Sequence, residues 1–210
     1  MTEENLNDIM NKLNTILRKK VEFKSPIQSF FLKIIPITKI LITNMPIEIE
    51  TPRMILRLIK EDDLEQVAQL NSDPEVRKFF PDGIQDREQT RKRIKEFMTF
   101  YKERELPCFV IFDKVSKKFL GRCGFGPIET GEVEVGYLIV RKFWGMGYAS
   151  EALNALLEWS KKNIDTEYII AFAPLRHEAS HRVMEKCGME YYKVDFGHGI
   201  ECKFYRIKNN

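Results

Sequence analysis

The spacing of apolar residues divides the chain into two parts. In residues 1–45, apolar side chains first recur at steps of three and four residues, as they do on one face of an amphipathic helix. These residues are Leu6, Ile9, Met10, Leu13, Ile16 and Leu17. The stretch 25–44 then contains Pro26 and Pro36 and follows no single period. We therefore predict an N-terminal extension over residues 1–45, followed by one domain over residues 46–210.

From residue 46 onward, strand-like and helix-like segments alternate. Apolar and β-branched runs predict strands at 54–59, 108–112, 119–125, 132–140, 168–172, 191–195 and 201–207. Segments with a period of three to four residues predict helices at 60–70, 86–105, 147–162 and 178–186, with a short helical turn at 75–80. This order predicts an α/β or α+β domain in which a mixed sheet carries helices on both faces.

Composition excludes several classes of protein. The chain of 210 residues is 43% hydrophobic and 31% charged, which is typical of globular domains rather than disordered or fibrous ones. Its 34 Lys+Arg and 31 Asp+Glu give a charge of +3, too small to predict a nucleic-acid partner. The four cysteines lack metal-binding spacing, so we expect no metal site and a reducing, cytoplasmic environment. No secretory signal is visible.

The charge of +3 belongs to the extension. Residues 1–45 hold seven basic and four acidic side chains, so residues 46–210 are neutral. Two roles are compatible with this pattern. The apolar stripe can pack on the domain or on a second subunit in a homodimer, or it can lie on a membrane surface. The mixed charge and modest stripe favour packing over membrane contact, and the apolar run 30–42 is too short to span a bilayer.

The best candidate for a ligand site is the stretch 140–150, where a strand ends and a helix begins. Its sequence is Val-Arg-Lys-Phe-Trp-Gly-Met-Gly-Tyr-Ala-Ser. Glycines at 145 and 147 allow positive φ and a close approach of the backbone to a ligand. The first amides of the next helix have no helical acceptors and lie at the positive end of its dipole. We expect a phosphate-bearing ligand there.

Three interpretations of this stretch compete. A P-loop requires G-x-x-x-x-G-K-[ST], and no Lys-Ser or Lys-Thr follows these glycines. A dinucleotide fingerprint requires G-x-G-x-x-G, and position 150 is Ser. The third interpretation, a purely structural Gly-x-Gly turn, stays open on this stretch alone.

Together with four further segments, the loop resembles the Gcn5-related N-acetyltransferase (GNAT) family, most closely its branch of ribosomal-protein N-terminal acetyltransferases. The similar segments occur in order at 51–57 (TPRMILR), 71–76 (NSDPEV), 134–137 (EVGY), 143–153 (FWGMGYASEAL) and 180–189 (SHRVMEKCGM). They extend across almost the whole domain. The resemblance implies a mostly antiparallel central sheet that splays at the strand binding the cofactor.

The resemblance also implies direct, metal-independent transfer of an acetyl group from acetyl-coenzyme A to a primary amine, on a protein N-terminus or a small molecule. The pyrophosphate would rest on loop amides and the pantetheine along the splayed strand. Lys142 stands where the family more often has Arg or Gln, and His177 replaces a cofactor-binding Asn. The implied cofactor-binding residues are Leu138, Ile139, Val140, Lys142, Trp144, Gly145, Met146, Gly147, Tyr148, Ala149 and His177.

Acyl transfer needs a base for the amine, donors for the oxyanion and, in some enzymes, an acid for the thiolate. We expect Glu134 to act as the base, directly or through water, although its alternation with valines also suits a solvated strand face. The N–H group of Ile139 is the expected oxyanion donor. Because the wider family's Tyr is here Met184, three alternatives stay open for the acid step: Ser180, water or no acid at all. Ser180 can instead be a structural residue near the helix start.

Other polar and apolar residues near these motifs are expected to be structural. We predict that His181 lies on the surface and that Cys187 is a small core residue. The helix 86–105 interleaves basic and acidic residues, as a solvated face does, and its apolar side Phe97, Met98 and Tyr101 is expected in the core.

Three functional hypotheses follow. The leading one is an acetyl-coenzyme A-dependent N-acetyltransferase. The alternative is a catalytically weak acyl-coenzyme A-binding or regulatory module, motivated by His177 and Met184. The third is an interaction protein that docks or dimerises through residues 1–45.

Overall fold

The computed structural model of this chain describes residues 47–209. The predicted extension over 1–45 lies outside the described residues. Eight strands form one sheet: β1 Glu48–Glu50, β2 Met54–Leu58, β3 Cys108–Asp113, β4 Phe119–Pro127, β5 Val133–Ile139, β6 Tyr168–Pro174, β7 Glu190–Gly197 and β8 Ile200–Lys208. Five α-helices accompany them in the described part of the chain: α1 Leu64–Asn71, α2 Pro74–Arg77, α3 Arg87–Arg104, α4 Tyr148–Asn163 and α5 Glu178–Lys186. Short 3-10 helices occupy Glu61–Asp63 and Arg141–Phe143.

The predicted fold class is confirmed. The strand order is β1-β2-β3-β4-β5-β6-β8-β7, and each neighbouring pair is antiparallel except β5 with β6. The predicted strands and helices occur with boundaries shifted by a few residues. Sequence patterns missed β1, because a three-residue edge strand is too short to establish a period.

Alternating side chains on the strands pack against helices on both faces of the sheet. Phe109 and Ile111 of β3 join the larger core, to which α4 contributes Leu153 and Leu156. Cys108 and Val110, the alternate residues of β3, join a smaller core under α1 and α3. The period of two along β3 therefore matches the two-sided helical cover.

Two predicted positions differ in the structure. His181 is buried, with its ring Nε2 3.4 Å from the carbonyl oxygen of Ala173, so the predicted surface position is wrong. The ring stacks on Tyr205, and this packing outweighs the cost of removing the polar imidazole from water. Met98 is 39% exposed rather than part of the core, because α3 buries a narrower stripe centred on Ile94.

Cys187 is buried, as predicted. No helix in the part of the chain that the structure describes is long and apolar enough to cross a membrane.

The close contact between β4 and β5 depends on Gly121. A Cβ atom at this position would lie 2.0 Å from the backbone carbonyl oxygen of Leu138, and the backbone cannot rotate away as a side chain can. We expect Gly121→Ala to lower the free energy of unfolding by about 1–3 kcal/mol. Gly126→Ala on the same strand is the control, because its Cβ would meet nothing within 4 Å, and a change below about 0.5 kcal/mol is expected. Equal losses in urea titrations of both variants would contradict this account.

Candidate functional site

The sheet opens between β5 and β6. These two parallel strands pair only at Val133 with Ile169 and at Glu134 with Ile170. Beyond this point β5 stays paired with β4 as far as Ile139, whereas β6 pairs on its other side with β8. The two strands therefore diverge from Glu134 onward, and we call the space between them the splay.

The backbone of β5 presents polar groups to the splay. The N–H group of Val140 donates to the carbonyl oxygen of Leu120, on the β4 side, at 2.8 Å. Because successive backbone groups of a strand point to opposite sides, the N–H group of Ile139 points into the splay. The Ile139 carbonyl oxygen accepts a hydrogen bond from Trp144 Nε1 at 2.7 Å. Of the strand residues expected to bind a ligand, Ile139 thus faces the splay, whereas the Val140 amide is already bonded to β4.

The loop between β5 and α4 forms a concentrated set of amide donors. Gly145 and Gly147 have φ values of 74° and 81°, a left-handed conformation that glycine adopts without strain. The Trp144 amide donates to the Arg141 carbonyl, so it is not among the available donors, contrary to expectation. Within residues 47–209, the next five amides have no backbone acceptor: Gly145, Met146, Gly147, Tyr148 and Ala149. They lie at the positive end of the 16-residue helix α4.

A clamp of three residues fixes this loop to the start of β2. Glu151, in the first turn of α4, accepts hydrogen bonds from Thr51 Oγ1 at 2.6 Å and from Arg53 Nε at 2.6 Å. Arg53 also donates to the Met146 carbonyl at 2.9 Å and lies 4.2 Å from the centre of the Tyr148 ring. In the sequence, Thr51 and Arg53 belong to a segment that resembles the GNAT family, but no role for them could be inferred. The fold brings them into contact with Met146 and Glu151, about a hundred positions later in the chain.

The clamp also brings a third cation to the loop. Arg141 and Lys142 are exposed at its start, with Lys142 Nζ 4.8 Å from the centre of the Phe143 ring. Arg53, which pairs with Glu151, has Nη2 3.5 Å from where a Cβ of Gly147 would lie. Five loop amides, Arg141 and Lys142, with Arg53 beside them, form a site suited to a polyanion such as a diphosphate.

His177, expected among the cofactor-binding residues, lies at the start of α5. It occupies the N-cap position, but its side chain makes no capping hydrogen bond. Its ring instead stacks on Phe79, with centroids 4.0 Å apart and planes at 17°. Burial, together with His181 and Lys78, lowers the pKa of His177 to about 4. The ring is therefore neutral near pH 7 and acts as an apolar stacking partner at the end of β6.

Ser180 pairs with Tyr137 of β5. Its hydroxyl lies 2.8 Å from the hydroxyl of Tyr137, which also approaches the Ser180 carbonyl at 3.3 Å. Burial raises the pKa of Tyr137 well above its usual range, so the phenol keeps its proton. Met184 on the same helix is buried and has no proton to give. The only signal for Tyr137 in the sequence was its place beside Gly136 in the EVGY segment.

Glu134 lies at the apex of the splay, where the pairing of β5 with β6 ends. Its side chain is only 21% exposed, which is less than a freely solvated strand face would give. The Oε2 atom is 3.4 Å from His198 Nε2, and Oε1 is 3.9 Å from the position of a Cβ on Gly136. The structure thus brings Glu134 together with a histidine 64 positions away in the chain.

These groups have complementary chemistry. The loop amides can bind an anion, and the open edge of β5 can hydrogen-bond an extended amide-containing chain as a strand partner would. The carboxylate of Glu134 lies at the far end of that edge. Ile139 N–H can stabilise negative charge on an acyl oxygen, and Tyr137 with Ser180 can donate a proton. Among the described residues, no group of three or more His, Cys, Asp and Glu side chains is arranged to hold a metal ion.

Comparisons with known proteins agree with this geometry. The family model described as "Acetyltransferase (GNAT) domain" matches residues 53–190. The protein YkkB of Bacillus subtilis (strain 168) is 33% identical over 155 residues, which cover 72% of this chain and 90% of that protein. The crystal structure of a GNAT-family acetyltransferase from Bacillus anthracis has a TM-score of 0.67 at 26% identity, covering 78% of this chain and 99% of that one.

A second similar structure shares the fold at lower identity. It is RimL, a ribosomal L7/L12 alpha-N-protein acetyltransferase in complex with coenzyme A, with a TM-score of 0.67 and 18% identity. The match covers 77% of this chain and 98% of that one.

The clamp predicts how stability depends on pH. Burial alone would raise the pKa of Glu151, but the hydrogen bonds from Thr51 and Arg53 outweigh it and lower the pKa below 4.5. A lowered pKa stabilises the fold above the unfolded value, and this stability is lost as pH falls through the folded value. We expect Glu151→Gln to lower stability at pH 7 and to reduce the loss seen on acidification below pH 4.5. Chemical denaturation between pH 3 and 7 measures both effects. Glu158→Gln, on the same helix with an exposed Lys161 partner, should follow the wild-type profile.

Proposed function

The chain belongs to the GNAT family and is an acetyl-transferring enzyme, and we propose that it moves the acetyl group of acetyl-coenzyme A in one direct step to a primary amine beside Glu134. The observation that carries this proposal is the splay, because the loop follows one end of the open strand edge and the carboxylate of Glu134 lies at its other end. We place the reaction in the cytoplasm, consistent with the four buried, free cysteines among the described residues.

The residues present suit acetyl-coenzyme A. Its diphosphate would rest on the amides from Gly145 to Ala149, with Arg53, Arg141 and Lys142 around it. Its pantetheine amides would pair with the other backbone groups on the exposed edge of β5, which leaves the N–H group of Ile139 for the acyl oxygen. When bound, acetyl-coenzyme A supplies the activated acyl group and a thiol leaving group.

Glu134, Ile139 and the Tyr137–Ser180 pair would perform the proton and charge chemistry. Glu134 takes a proton from the acceptor amine, directly or through water, so that the nitrogen can attack. The Ile139 amide stabilises the developing negative charge on the acyl oxygen. Tyr137 and Ser180 together provide the proton that a single tyrosine provides in the wider family. This pair weakens the case for a catalytically silent coenzyme-binding module, which rested on Met184.

The acceptor is proposed as a class. Gly136 and Gly126 leave the surface beside Glu134 without side chains, and a Cβ at Gly126 would meet no atom within 4 Å. An amine on an extended, unbranched segment fits this surface without side chains. Both a protein N-terminus and a small amine meet this description. The name of RimL, which acts on a ribosomal protein N-terminus, favours testing peptides first.

A screen of acceptors tests the proposal. Purified full-length protein would be incubated with acetyl-coenzyme A and peptides with free N-termini, polyamines, aminoglycosides or amino acids, and thiol release would be followed. We expect turnover with at least one class and transfer of the acetyl group to nitrogen by mass spectrometry. Acetyl-coenzyme A binding without turnover on any acceptor would favour the silent module, and no binding at millimolar ligand would refute the proposal.

The loop makes a quantitative prediction for cofactor affinity. Gly147→Ala places a Cβ on a residue with φ of 81°, at a cost of about 1–2 kcal/mol in the left-handed region. If the loop relieves this strain by moving its amides, affinity for acetyl-coenzyme A falls about tenfold. Calorimetry measures the change. Gly131→Ala, at φ of 87° in the turn between β4 and β5, introduces similar strain away from the loop and should keep wild-type affinity.

The Tyr137–Ser180 pair makes a prediction for turnover. We expect Tyr137→Phe and Ser180→Ala each to lower kcat about tenfold, toward the lower end of general-acid effects because a thiolate is already a tolerable leaving group. The double variant should lose little more, since the two hydroxyls act as a unit. Initial rates at saturating substrates measure this. Tyr191→Phe, an exposed tyrosine on β7, is the control. Fully additive losses would indicate two independent structural roles.

A further inference from the structure

The tip of the β7–β8 hairpin reaches the apex of the splay. Its turn consists of Gly197, His198 and Gly199, and His198 has a positive φ of 50°. Few residues other than glycine adopt this conformation, although histidine does so more readily than most. The turn therefore holds a non-glycine residue in a costly conformation, next to the strongest candidate for a catalytic base.

Packing fixes the turn on β6. A Cβ atom at Gly197 would lie 2.4 Å from the ring of Phe172, so only glycine lets the hairpin backbone approach this ring without a shift. The His198 ring lies against the same phenylalanine, with centroids 5.1 Å apart. Phe172 in turn stacks on Phe204 of β8. The position of the His198 ring is thus set by the core beneath it, even though its side chain is 57% exposed.

The two carboxylate oxygens of Glu134 face different surroundings. Oε2 is 3.4 Å from His198 Nε2. Within residues 47–209, and leaving out the chain neighbours of Gly136, Oε1 is the only atom within 4 Å of the position where a Cβ of Gly136 would lie. The space above Gly136 is therefore open and bordered by one carboxylate oxygen, whereas the other oxygen is held by the imidazole.

This open space lies where the reaction would occur. An extended ligand that pairs with the open edge of β5 fills the place of a neighbouring strand. It cannot extend beyond Glu134 and Ile170, because there β5 pairs with β6. The acyl end of the donor then lies along β5 between Ile139 and the apex, and the acceptor nitrogen approaches it across Gly136.

We propose that His198 is the positioning residue of the acceptor site: it holds Glu134 Oε2 so that Oε1 faces the acceptor amine, and it weakens the carboxylate as a base while it is protonated. The proposal rests on the proposed function, because it assigns the control of the base in that reaction. The proton leaves the amine nitrogen for Oε1, and His198 acts through Glu134 without contacting the reacting atoms.

Three charged groups surround the His198 ring. Glu134 raises its pKa above 6.5 through their hydrogen bond, partly opposed by burial. Arg93 of α3 lowers the pKa and Asp82 of the segment between α2 and α3 raises it, both from a greater distance. His198 therefore changes charge above 6.5, at the pH where an amine acetyltransferase would be assayed.

The sign of the pH effect follows. Below the pKa of His198, the imidazolium neutralises Glu134 and makes the carboxylate a weaker proton acceptor. Above this pKa, a neutral imidazole still donates from Nε2, so the carboxylate keeps its orientation and regains its basicity. The wild-type rate should thus rise with pH through a step that belongs to His198.

The decisive measurement is the pH profile of kcat/KM for wild type, His198→Gln and His198→Ala. Gln keeps a hydrogen-bond donor but carries no charge, so we expect its rate at pH 9 to stay within about threefold of wild type and the acid-side step to move down by about one pH unit or more. Ala loses the donor, and we expect kcat to fall about tenfold at every pH. Two acceptors with different amine pKa values separate the steps, because the step of the amine moves with the acceptor and that of His198 does not.

Controls keep the result interpretable. Glu201→Gln removes an exposed charge from the same hairpin and should leave the profile unchanged. Affinity for acetyl-coenzyme A and the thermal midpoint should be unaltered in both His198 variants, which separates positioning from misfolding. Wild-type profiles in His198→Gln, or equal rates in Gln and Ala variants, would overturn the inference while leaving acetyl transfer intact. Failure of the wild type to acetylate any amine would instead refute the proposed function.

Discussion

The candidate site depends on the early end of the pairing between β5 and β6. A strand in the middle of a sheet normally satisfies its backbone groups on both sides, but β5 has only two register pairs with β6, at Val133 and Glu134. Its remaining residues are held by β4 alone. The fold therefore keeps a polar strand edge inside an otherwise well-packed domain, and every candidate residue is arranged around that edge.

Side chains from distant parts of the chain stabilise this opening. The indole N–H of Trp144 donates a hydrogen bond to the Ile139 carbonyl oxygen and so joins the loop to β5. Glu151 binds Thr51 and Arg53, which joins the same loop to β2. On the other side of the sheet, Gly197 lets the β7–β8 turn lie against Phe172. These contacts fix the loop and the β7–β8 turn, which lie at the two ends of the splay.

Local arrangement, and not net charge, gives the site its electrostatic character. The domain over residues 46–210 is neutral overall, because the surplus of basic residues lies in 1–45. The loop nevertheless gathers five amides with no backbone acceptor among the described residues, at the positive end of a long helix. The apex carries the opposite charge, because the carboxylate of Glu134 lies there, in contact with His198. A polyanion and a cationic amine can therefore bind at opposite ends of the same opening.

The sequence by itself determined the elements, the fold class, the Gly-x-Gly loop and the place of Glu134 on its strand. Hydrophobic period, helix-start signals and glycine are local properties, and they act over a few residues. It did not reveal Arg53 as a clamp, Tyr137 as the partner of Ser180, His177 as a neutral stacking ring or His198 beside Glu134. Each of these depends on a contact between segments that are far apart in the chain, and no local period encodes such a contact. Only the tertiary structure, by closing the sheet on both sides of the splay, decided which of the polar residues meet there.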